Sequence, residues 1–202
     1  PVILTALLLL AIGYLLGSPP SGYLAGRWLK GIDLRDCGSG STGATNVLRN
    51  VGKRPALVVL LIDVGKGALA VLLAKSIGLN DWIQVLAGLA ALAGHIWPVW
   101  LGWKGGKAVA TGFGMFLGLA WPVGLACFGV FMAVISLSRI VSLASVMAAL
   151  GLPLLMALAD GGPAYICVSL VASLMVIWRH RSNIKRLLAG TEPRLGQKKT
   201  AS

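Results

Sequence analysis

The sequence opens with PVILTALLLLAIGYLLG, Pro1–Gly17, a stretch that holds no charged side chain. A helix needs roughly 20 apolar residues to cross about 30 Å of hydrocarbon, and similar runs recur along the chain. Hydrophobic residues make up 57% of the 202 residues and charged residues 12%, with a mean hydropathy of +0.85. The composition indicates a membrane protein. Because the opening stretch lacks the basic start and the cleavage site of a signal peptide, we expect it to be a retained span.

The apolar runs predict an all-α, polytopic membrane protein, a bundle of seven transmembrane helices in a single domain over residues 1–202. The first run is too long for one straight crossing. It contains SPPS, Ser18–Ser21, where two prolines remove amide donors and should kink or break the helix. The predicted spans are 2–28, 55–79, 82–102, 107–120, 122–137, 140–159 and 163–178.

Basic residues are distributed unevenly between the two sides of these spans. If the spans alternate in direction, 16 of the 18 Lys and Arg residues fall on one face, with Lys75 opposite and Lys66 inside a span. Such an excess marks the cytoplasmic side, so the N-terminus is predicted outside and the C-terminus in the cytoplasm. The residues on the predicted cytoplasmic face are Arg27, Lys30, Arg35, Arg49, Lys53, Arg54, Lys104, Lys107, Arg139, Arg179, Arg181, Lys185, Arg186, Arg194, Lys198 and Lys199.

The composition also limits the partners and cofactors. A net charge of +12 would suggest nucleic acid for a soluble protein, but a basic patch interleaved with aromatics in a folded domain is missing, so we expect the lipid bilayer and no nucleic acid. Cys37, Cys127 and Cys167 lie far apart without C-x-x-C spacing, which encodes neither a zinc site nor a disulfide framework. We expect no metal and no cofactor.

The stretch DCGSGSTGATNVLRN, Asp36–Asn50, has almost nothing that could pack a core. Its glycines match G-x-G-x-x-G, yet Ala44 stands where a P-loop needs lysine, and no strand precedes them. Glycines still allow backbone amides to converge on an anion, and nearby hydroxyl, amide and guanidinium groups add donors. We interpret the stretch as a phosphate site, with a flexible solvated loop as the alternative. The predicted binding residues are Gly38, Ser39, Gly40, Ser41, Gly43, Asn46 and Arg49.

A second cluster is GHIWPVWLGWKGGKAVATG, Gly94–Gly112. Its tryptophans are typical of an aromatic belt at the membrane interface. Two lysines bracket paired glycines at the start of the next helix, which predicts a second anion site built from amides and a helix N-terminus. The histidine has either a packing role or a role in the site. The residues concerned are His95, Lys104, Gly105, Gly106 and Lys107.

A third cluster, WRHRSNIKRLLAG, begins at the cytoplasmic end of the last span. His180, Asn183 and, beyond it, Glu192 are polar groups that membrane anchoring does not require, whereas topology alone explains the arginines. At the inner mouth of the sixth span, Ser142 and Ser145 share a helical face, where they either face a pocket or bond back to the helix.

The second span carries Asp63 and Lys66 on one helical face. Charges near the middle of a bilayer must be paired or face the bundle interior. We interpret the two residues as a neutralised structural pair. All the polar clusters then meet on one membrane face, which indicates transfer between a lipid-derived donor and a water-soluble phosphorylated acceptor.

Over nearly its whole length the chain resembles the bacterial acyl-phosphate-dependent glycerol-3-phosphate acyltransferases, small integral membrane enzymes. The resemblance rests on five motifs, which occur in this order: GSGSTGATNVLR, DVGKG, GHIWPVWLGWKGGKAVAT, SRIVSLAS and RHRSNIKRLLAGTE. The chain departs from the family pattern at Ser41, where asparagine is usual, at Trp103, where phenylalanine is frequent, and at Ala108, where glycine is common. The change at Ser41 keeps a donor and affects only the detailed phosphate geometry.

The resemblance implies a seven-helix enzyme of the bacterial plasma (inner) membrane, functional as a monomer, with its active site facing the cytoplasm. It also implies the reaction, in which acyl phosphate acylates the sn-1 hydroxyl of glycerol 3-phosphate to give lysophosphatidic acid and phosphate. This is the first step of phospholipid synthesis. Acyl phosphate is already activated, so no Ser-His-Asp set is required.

Roles for individual residues follow from the resemblance and from this chemistry. The catalytic residues are expected to be His180, Ser39 and Lys107. Ser39 and the glycine loop would hold the donor phosphate, while Arg49, Lys104 and Lys107 would neutralise the two phosphates jointly. His180 and Asn183 would orient glycerol 3-phosphate, and either His180 or the donor phosphate would accept the hydroxyl proton.

Two other function classes are weighed against this one. A carrier for organic phosphates would suit basic loops and broken helices, but it predicts polar groups at both mouths of the bundle and often an internal repeat. The outer side offers only Lys75, Asp81 and Asp160, and no repeat is visible. A structural scaffold would leave the glycine-rich polar clusters without a purpose.

Overall fold

The computed structural model describes residues 2–197, in which all regular structure is helical. Two predicted cytoplasmic residues, Lys198 and Lys199, lie outside this range. Short 3-10 turns at Leu34–Asp36 and Val99–Leu101 accompany the α-helices. The helices are α1 Val2–Gly17, α2 Ser21–Lys30, α3 Ala44–Asn50, α4 Lys53–Ser76, α5 Asp81–Ile96, α6 Val109–Ser138, α7 Val141–Leu158, α8 Pro163–Arg179 and α9 Arg181–Leu188.

Five segments of the described chain are long and apolar enough to cross a bilayer, and a sixth results if α8 and α9, bent by 61°, count as one span. The predicted spans overlap these segments. The predicted spans 107–120 and 122–137 both lie in α6, however, and by length and composition α6 counts as one segment. The five segments are Val2–Lys30, Lys53–Ser76, Asp81–Leu101, Val109–Ser138 and Val141–Leu158.

Helix α6 is folded back on itself. Ala120 has a non-helical backbone, with φ −147° and ψ 82°, just before Pro122, which cannot donate an amide hydrogen bond. The rings of Phe113 and Phe128 stack with centroids 5.3 Å apart, whereas residues at this separation in a straight helix lie about 22 Å apart. The predicted interruption is therefore confirmed, and α6 consists of a first limb, residues 109–119, and a second limb, residues 121–138.

The predicted break in the first run is also confirmed, because residues 18–20 separate α1 from α2. A buried ion pair fixes this break to α4. Lys66 Nζ donates to Asp63 Oδ1 at 2.6 Å and to Pro19 O at 2.6 Å, while Ser21 Oγ donates to Asp63 Oδ1 at 2.6 Å. Asp63 and Lys66 therefore form the structural pair that the sequence predicts.

Close helix contact places α6 beside the middle of α4. A Cβ on Gly67 would overlap Thr111 O, and a Cβ on Gly114 would overlap Val64 O. The first limb of α6 therefore begins at the depth of the buried ion pair, so the loop that precedes it enters the bundle. This loop carries Lys107.

Candidate active site

A cavity of about 500 Å³ enters the bundle from the end that carries Lys53 and Arg139 and continues between α4, α6, α7 and α8. Its mouth is polar and its interior is apolar. Ten of the predicted site residues line it, so segments far apart in the sequence meet in one place. They are Ser39, Ser41, Gly43, Asn46, Arg49, His95, Lys107, Ser142, His180 and Asn183.

Other predicted residues lie elsewhere. Gly40, Lys104 and Gly105 line a second, polar cavity of about 480 Å³ next to Asp33, Asp36, Trp103 and the guanidinium groups of Arg35 and Arg179. Gly38 and Gly106 are not among the residues that line either cavity. The expected joint role of Lys104 and Lys107 therefore does not fit the structure, because the two ammonium groups serve different cavities.

The KGGK turn does not offer its amides to an anion, contrary to expectation. Gly105 N donates to Ile96 O and Gly106 N donates to His95 O, each at 3.0 Å. The carbonyls of both glycines accept hydrogen bonds from Arg179 at 3.3 and 3.1 Å. A Cβ on Gly106 would overlap the His95 ring. The glycines thus make a tight turn against α5 and α8 that carries Lys107 to the cavity.

The glycine loop is held by Asn46, which is buried. Its Nδ2 lies 2.9–3.0 Å from the carbonyls of Leu34, Cys37 and Ser41, and its Oδ1 accepts from Ser39 N at 3.3 Å. The amide group is fully used by the loop itself. Asn46 therefore shapes the loop and leaves ligand contact to its neighbours, in contrast to the donor role expected for it.

The cavity mouth contains a chain of hydrogen bonds centred on Glu192. Lys107 Nζ donates to Asn183 Oδ1 at 2.6 Å, and Asn183 Nδ2 donates to Glu192 Oε1 at 2.6 Å. Ser142 Oγ donates to the same oxygen at 2.7 Å, and Arg186 Nε donates to Oε2 at 2.6 Å. The sequence singles out Glu192 as a polar group of the third cluster but predicts no role for it in the site, although its scarcity as one of six acidic residues is a further signal.

Electrostatics set the charge states in this network. The pKa of Lys107 is lowered to about 8, chiefly by burial and also by the neighbouring cations Arg186, Arg179 and Arg49, while Glu192 acts in the opposite direction. Burial raises the pKa of the Glu192 carboxyl, but hydrogen bonds from Ser142, Asn183 and Arg186 outweigh it and leave the pKa below its usual value. Glu192 is therefore ionised at neutral pH, and Lys107 is close to its own titration.

His180 lies in the bend after α8 and is buried. Its Nδ1 is 2.7 Å from Val176 O. A carbonyl only accepts, so Nδ1 carries the proton and Nε2 of the neutral ring is an acceptor. Burial lowers the pKa of His180 to about 4. The ring is thus an acceptor of hydrogen bonds but a weak base, which argues against the proton-accepting role considered for it.

His95 faces the buried ion pair, with Nδ1 3.8 Å from Asp63 Oδ1. Its ring also packs against Gly106, and the residue lines the cavity. Both alternatives for His95 therefore have support, since it packs inside the bundle and borders the site. Ser145 also combines two predicted alternatives, because it bonds to Val141 O at 2.9 Å and lines the cavity.

The segment after α9 crosses the cavity mouth. Arg49 Nη2 donates to Pro193 O at 3.4 Å, and Leu195 N donates to Arg139 O at 2.7 Å. Leu195 itself lines the cavity. Residues 191–195 therefore connect α3 with the turn between α6 and α7. This segment, which includes Glu192, closes one side of the polar mouth.

Comparisons with known proteins give a consistent result. A sequence model of the glycerol-3-phosphate acyltransferase family matches residues 7–190. The glycerol-3-phosphate acyltransferase of Parasynechococcus marenigrum (strain WH8102) is 87% identical over 198 residues, which is 98% of this chain and 93% of the relative. That of Prochlorococcus marinus (strain MIT 9313) is 72% identical over 194 residues, 95% of each chain.

Two solved structures have the same fold. Both are crystal structures of PlsY, an integral membrane glycerol 3-phosphate acyltransferase. The glycerol 3-phosphate form matches with a TM-score of 0.88 at 39% identity. The lysophosphatidic acid form matches with a TM-score of 0.87 at 40% identity. Each comparison covers 95% of this chain and 96% of the other.

Proposed function

The chain belongs to the glycerol-3-phosphate acyltransferase family, and from that premise we propose that its acyl donor is acyl phosphate and its acceptor the sn-1 hydroxyl of glycerol 3-phosphate. The products are lysophosphatidic acid and inorganic phosphate. One observation carries the proposal: a single cavity joins a cationic, hydrogen-bonding mouth to an apolar interior. Such a cavity suits a donor that has a phosphate at one end and a fatty chain at the other.

The mouth has the groups needed to hold two phosphates. Arg49 and Lys107 supply positive charge from two sides, and Lys53 lines the same region. Ser39 lines the same cavity from the glycine loop, and its hydroxyl is a donor for a phosphate oxygen. Charge neutralisation by fixed cations is strong at a partly desolvated site. Lys104 is left out of this assignment because it lines the second cavity.

The bond changes are few because the donor is already activated. The hydroxyl oxygen of glycerol 3-phosphate attacks the carbonyl carbon, and the bond from that carbon to the phosphate oxygen breaks. The electron pair leaves with the phosphate. Neither His95 nor His180 is hydrogen-bonded to a serine within residues 2–197, so the described residues favour direct transfer over a covalent acyl-enzyme step.

The hydroxyl proton goes to the departing phosphate in this proposal. A phosphate group with a pKa of about 6 is a stronger base than His180, whose pKa is lowered to about 4. His180 instead orients glycerol 3-phosphate by accepting a hydrogen bond at Nε2 from the neighbouring sn-2 hydroxyl, which leaves the proton of the attacking sn-1 hydroxyl free to pass to the phosphate. Asn183 keeps Lys107 in place beside it. Holding the reactants in this geometry supplies a large part of the rate.

We further propose a topology of seven membrane segments for a protein of the bacterial plasma membrane, active as a monomer and folded as one domain. The hairpin at Ala120 supports the count, since both limbs of α6 are then separate segments. The polar mouth lies on the side with the basic excess, which supports a cytoplasmic mouth and an N-terminus outside.

The donor assignment is tested with purified protein in lipid vesicles and labelled glycerol 3-phosphate. Palmitoyl phosphate should give lysophosphatidic acid, and palmitoyl-CoA and palmitoyl acyl carrier protein should not. Lys107→Ala should lower kcat/KM by roughly 100-fold, because a fixed cation at the reacting phosphate is lost. Lys104→Ala is the matched control and should stay close to the parent protein. Product formation from palmitoyl-CoA alone, or equal losses in both variants, would contradict the proposal.

A further inference from the structure

The apolar part of the cavity is bordered by one continuous stripe on each of two neighbouring helices. Residues three or four positions apart lie on one helical face, and the lining residues follow this spacing. The second limb of α6 contributes Gly124, Cys127, Phe128, Phe131 and Ile135, and α7 contributes Ser142, Ser145, Ala148, Ala149 and Leu152.

These stripes give the depth of the cavity. From Ile135 to Gly124 the second limb of α6 rises about 16 Å, and from Ser142 to Leu152 helix α7 rises about 15 Å, at 1.5 Å per residue. The two values agree. Gly124 and Leu152 therefore lie at the same far end of the cavity, opposite the polar mouth where Ser142 meets Glu192.

The far end is closed by packed side chains. Leu152 and Phe116 are buried in the hydrophobic core, together with Val123 and Met156 directly beyond. At Gly124 the backbone comes so close to the first limb that an added Cβ would lie 3.0 Å from Leu117 N. Leu152, unlike Gly124, has a side chain that can be either shortened or enlarged at this end of the cavity.

We infer that Leu152, with Phe116 and Gly124, forms the floor of the acyl site and determines which acyl chain lengths are transferred. The inference rests on the proposed acyl phosphate reaction and adds a specificity-determining residue to it. An extended chain advances about 1.2 Å per bond, so a phosphate held at the mouth fixes where the terminal methyl group ends. A chain one methylene too long must bend, and a chain that is too short leaves a void.

The test measures kcat/KM for lauroyl, myristoyl, palmitoyl and stearoyl phosphate with the full-length protein in vesicles. Leu152→Ala deepens the cavity and should raise the ratio of stearoyl to lauroyl transfer, by about fourfold for each additional methylene accommodated. Leu152→Phe makes the cavity shallower and should lower the same ratio. Each ratio compares two substrates with the same preparation of one variant. The folded fraction therefore cancels, and a variant that is only partly folded still reports its specificity.

Leu154→Ala is the matched control, because Leu154 lies on the same helix but is 63% exposed on the outer side of the bundle. It should leave the ratio unchanged. Leu60→Ala probes the side wall, where Leu60 lines the cavity and is 40% exposed. The assignment of Leu152 to the floor of the acyl site would be overturned if the chain-length profile is unchanged in both Leu152 variants, or if it changes only in Leu60→Ala. A parent protein that uses no acyl phosphate would instead refute the proposed function.

Discussion

Lys107 is the residue on which the charge of the site depends most. The sequence predicted it as a phosphate ligand, since a lysine after paired glycines at a helix start is typical of anion sites. Lys107 does line the cavity, but the amides of Gly105 and Gly106 donate to backbone carbonyls of α5 and are not available to an anion. What the sequence could not show is the surroundings of the ammonium group, because Asn183, Glu192 and Arg186 come from a distant part of the chain.

The lowered pKa of Lys107 predicts the behaviour of the enzyme at alkaline pH. The protonated form attracts phosphate, and it is lost as the pH rises through the pKa of about 8. We expect kcat/KM, which reports the free enzyme, to fall by about tenfold per pH unit above that value. In Lys107→Arg the guanidinium stays charged, so the residual activity should lack this decline.

The measurement is a pH series of initial rates at low substrate, corrected for spontaneous hydrolysis of the acyl phosphate. Lys104→Arg is the control, and it should keep the alkaline decline of the parent protein. A decline of the same shape in Lys107→Arg would show that another group causes it.

At the scale of elements, the glycine loop shows how a short segment is shaped by one side chain. Gly38 has φ 58°, in the left-handed region that favours glycine. The close approach of its backbone to Asn46 Oδ1 leaves no room for a Cβ. Sequence composition identified the loop, but only the structure shows that its donors are divided between holding the loop and facing the cavity.

Gly38→Ala should therefore damage catalysis, and Gly31→Ala should not. Both positions have a positive φ, 58° and 66°, so both variants incur a similar backbone strain of about 1 kcal/mol. Only at Gly38 does the new methyl group displace Asn46, since nothing lies within 4 Å of a Cβ at Gly31. We expect kcat/KM to fall roughly tenfold or more in Gly38→Ala, because hydrogen bonds of the loop are broken. Equal activity in the two variants, at equal folded fraction, would contradict this account.

The long apolar helices were predictable from sequence, and the small helices were not. Runs such as those in α4 and α7 need little context, because a bilayer accepts only segments with satisfied backbone groups. The breaks after Gly17 and at Ala120 were also visible, since proline marks both. Helices α3 and α9 were missed because they are short and polar, and their positions depend on contacts such as Val47 with the core and Asn183 with Glu192.

At the scale of the whole molecule, the polar clusters lie at one end of the helical bundle, and the other end has only short turns. The turns at residues 77–80 and 159–162 and the bend at Ala120 lie at the end away from the polar mouth. The glycine loop, the KGGK turn, Arg139 and His180 gather at the other end. This asymmetry fits an enzyme that takes its substrates from one side better than a carrier, which needs access from both.

The proposed topology predicts which positions a membrane-impermeant maleimide can reach in intact cells. In a background with Cys37, Cys127 and Cys167 replaced by Ala, a cysteine at Asn80 or Gly162 should be labelled from outside. Restored Cys37, or a cysteine at Ser138, should be labelled only after permeabilisation, because the proposed topology puts both on the cytoplasmic side. Labelling of Ser138→Cys from outside would mean that α6 crosses the membrane once, and the count of seven would be wrong.

The position of Glu192 in the chain has a consequence for biosynthesis. The ribosome makes this residue after every membrane helix, including α8 and the amphipathic α9, has been synthesised. Until Glu192 emerges, Asn183, Ser142 and Arg186 lack their common acceptor. We therefore expect the polar mouth to be completed, and acyl transfer to begin, only after translation has passed α9.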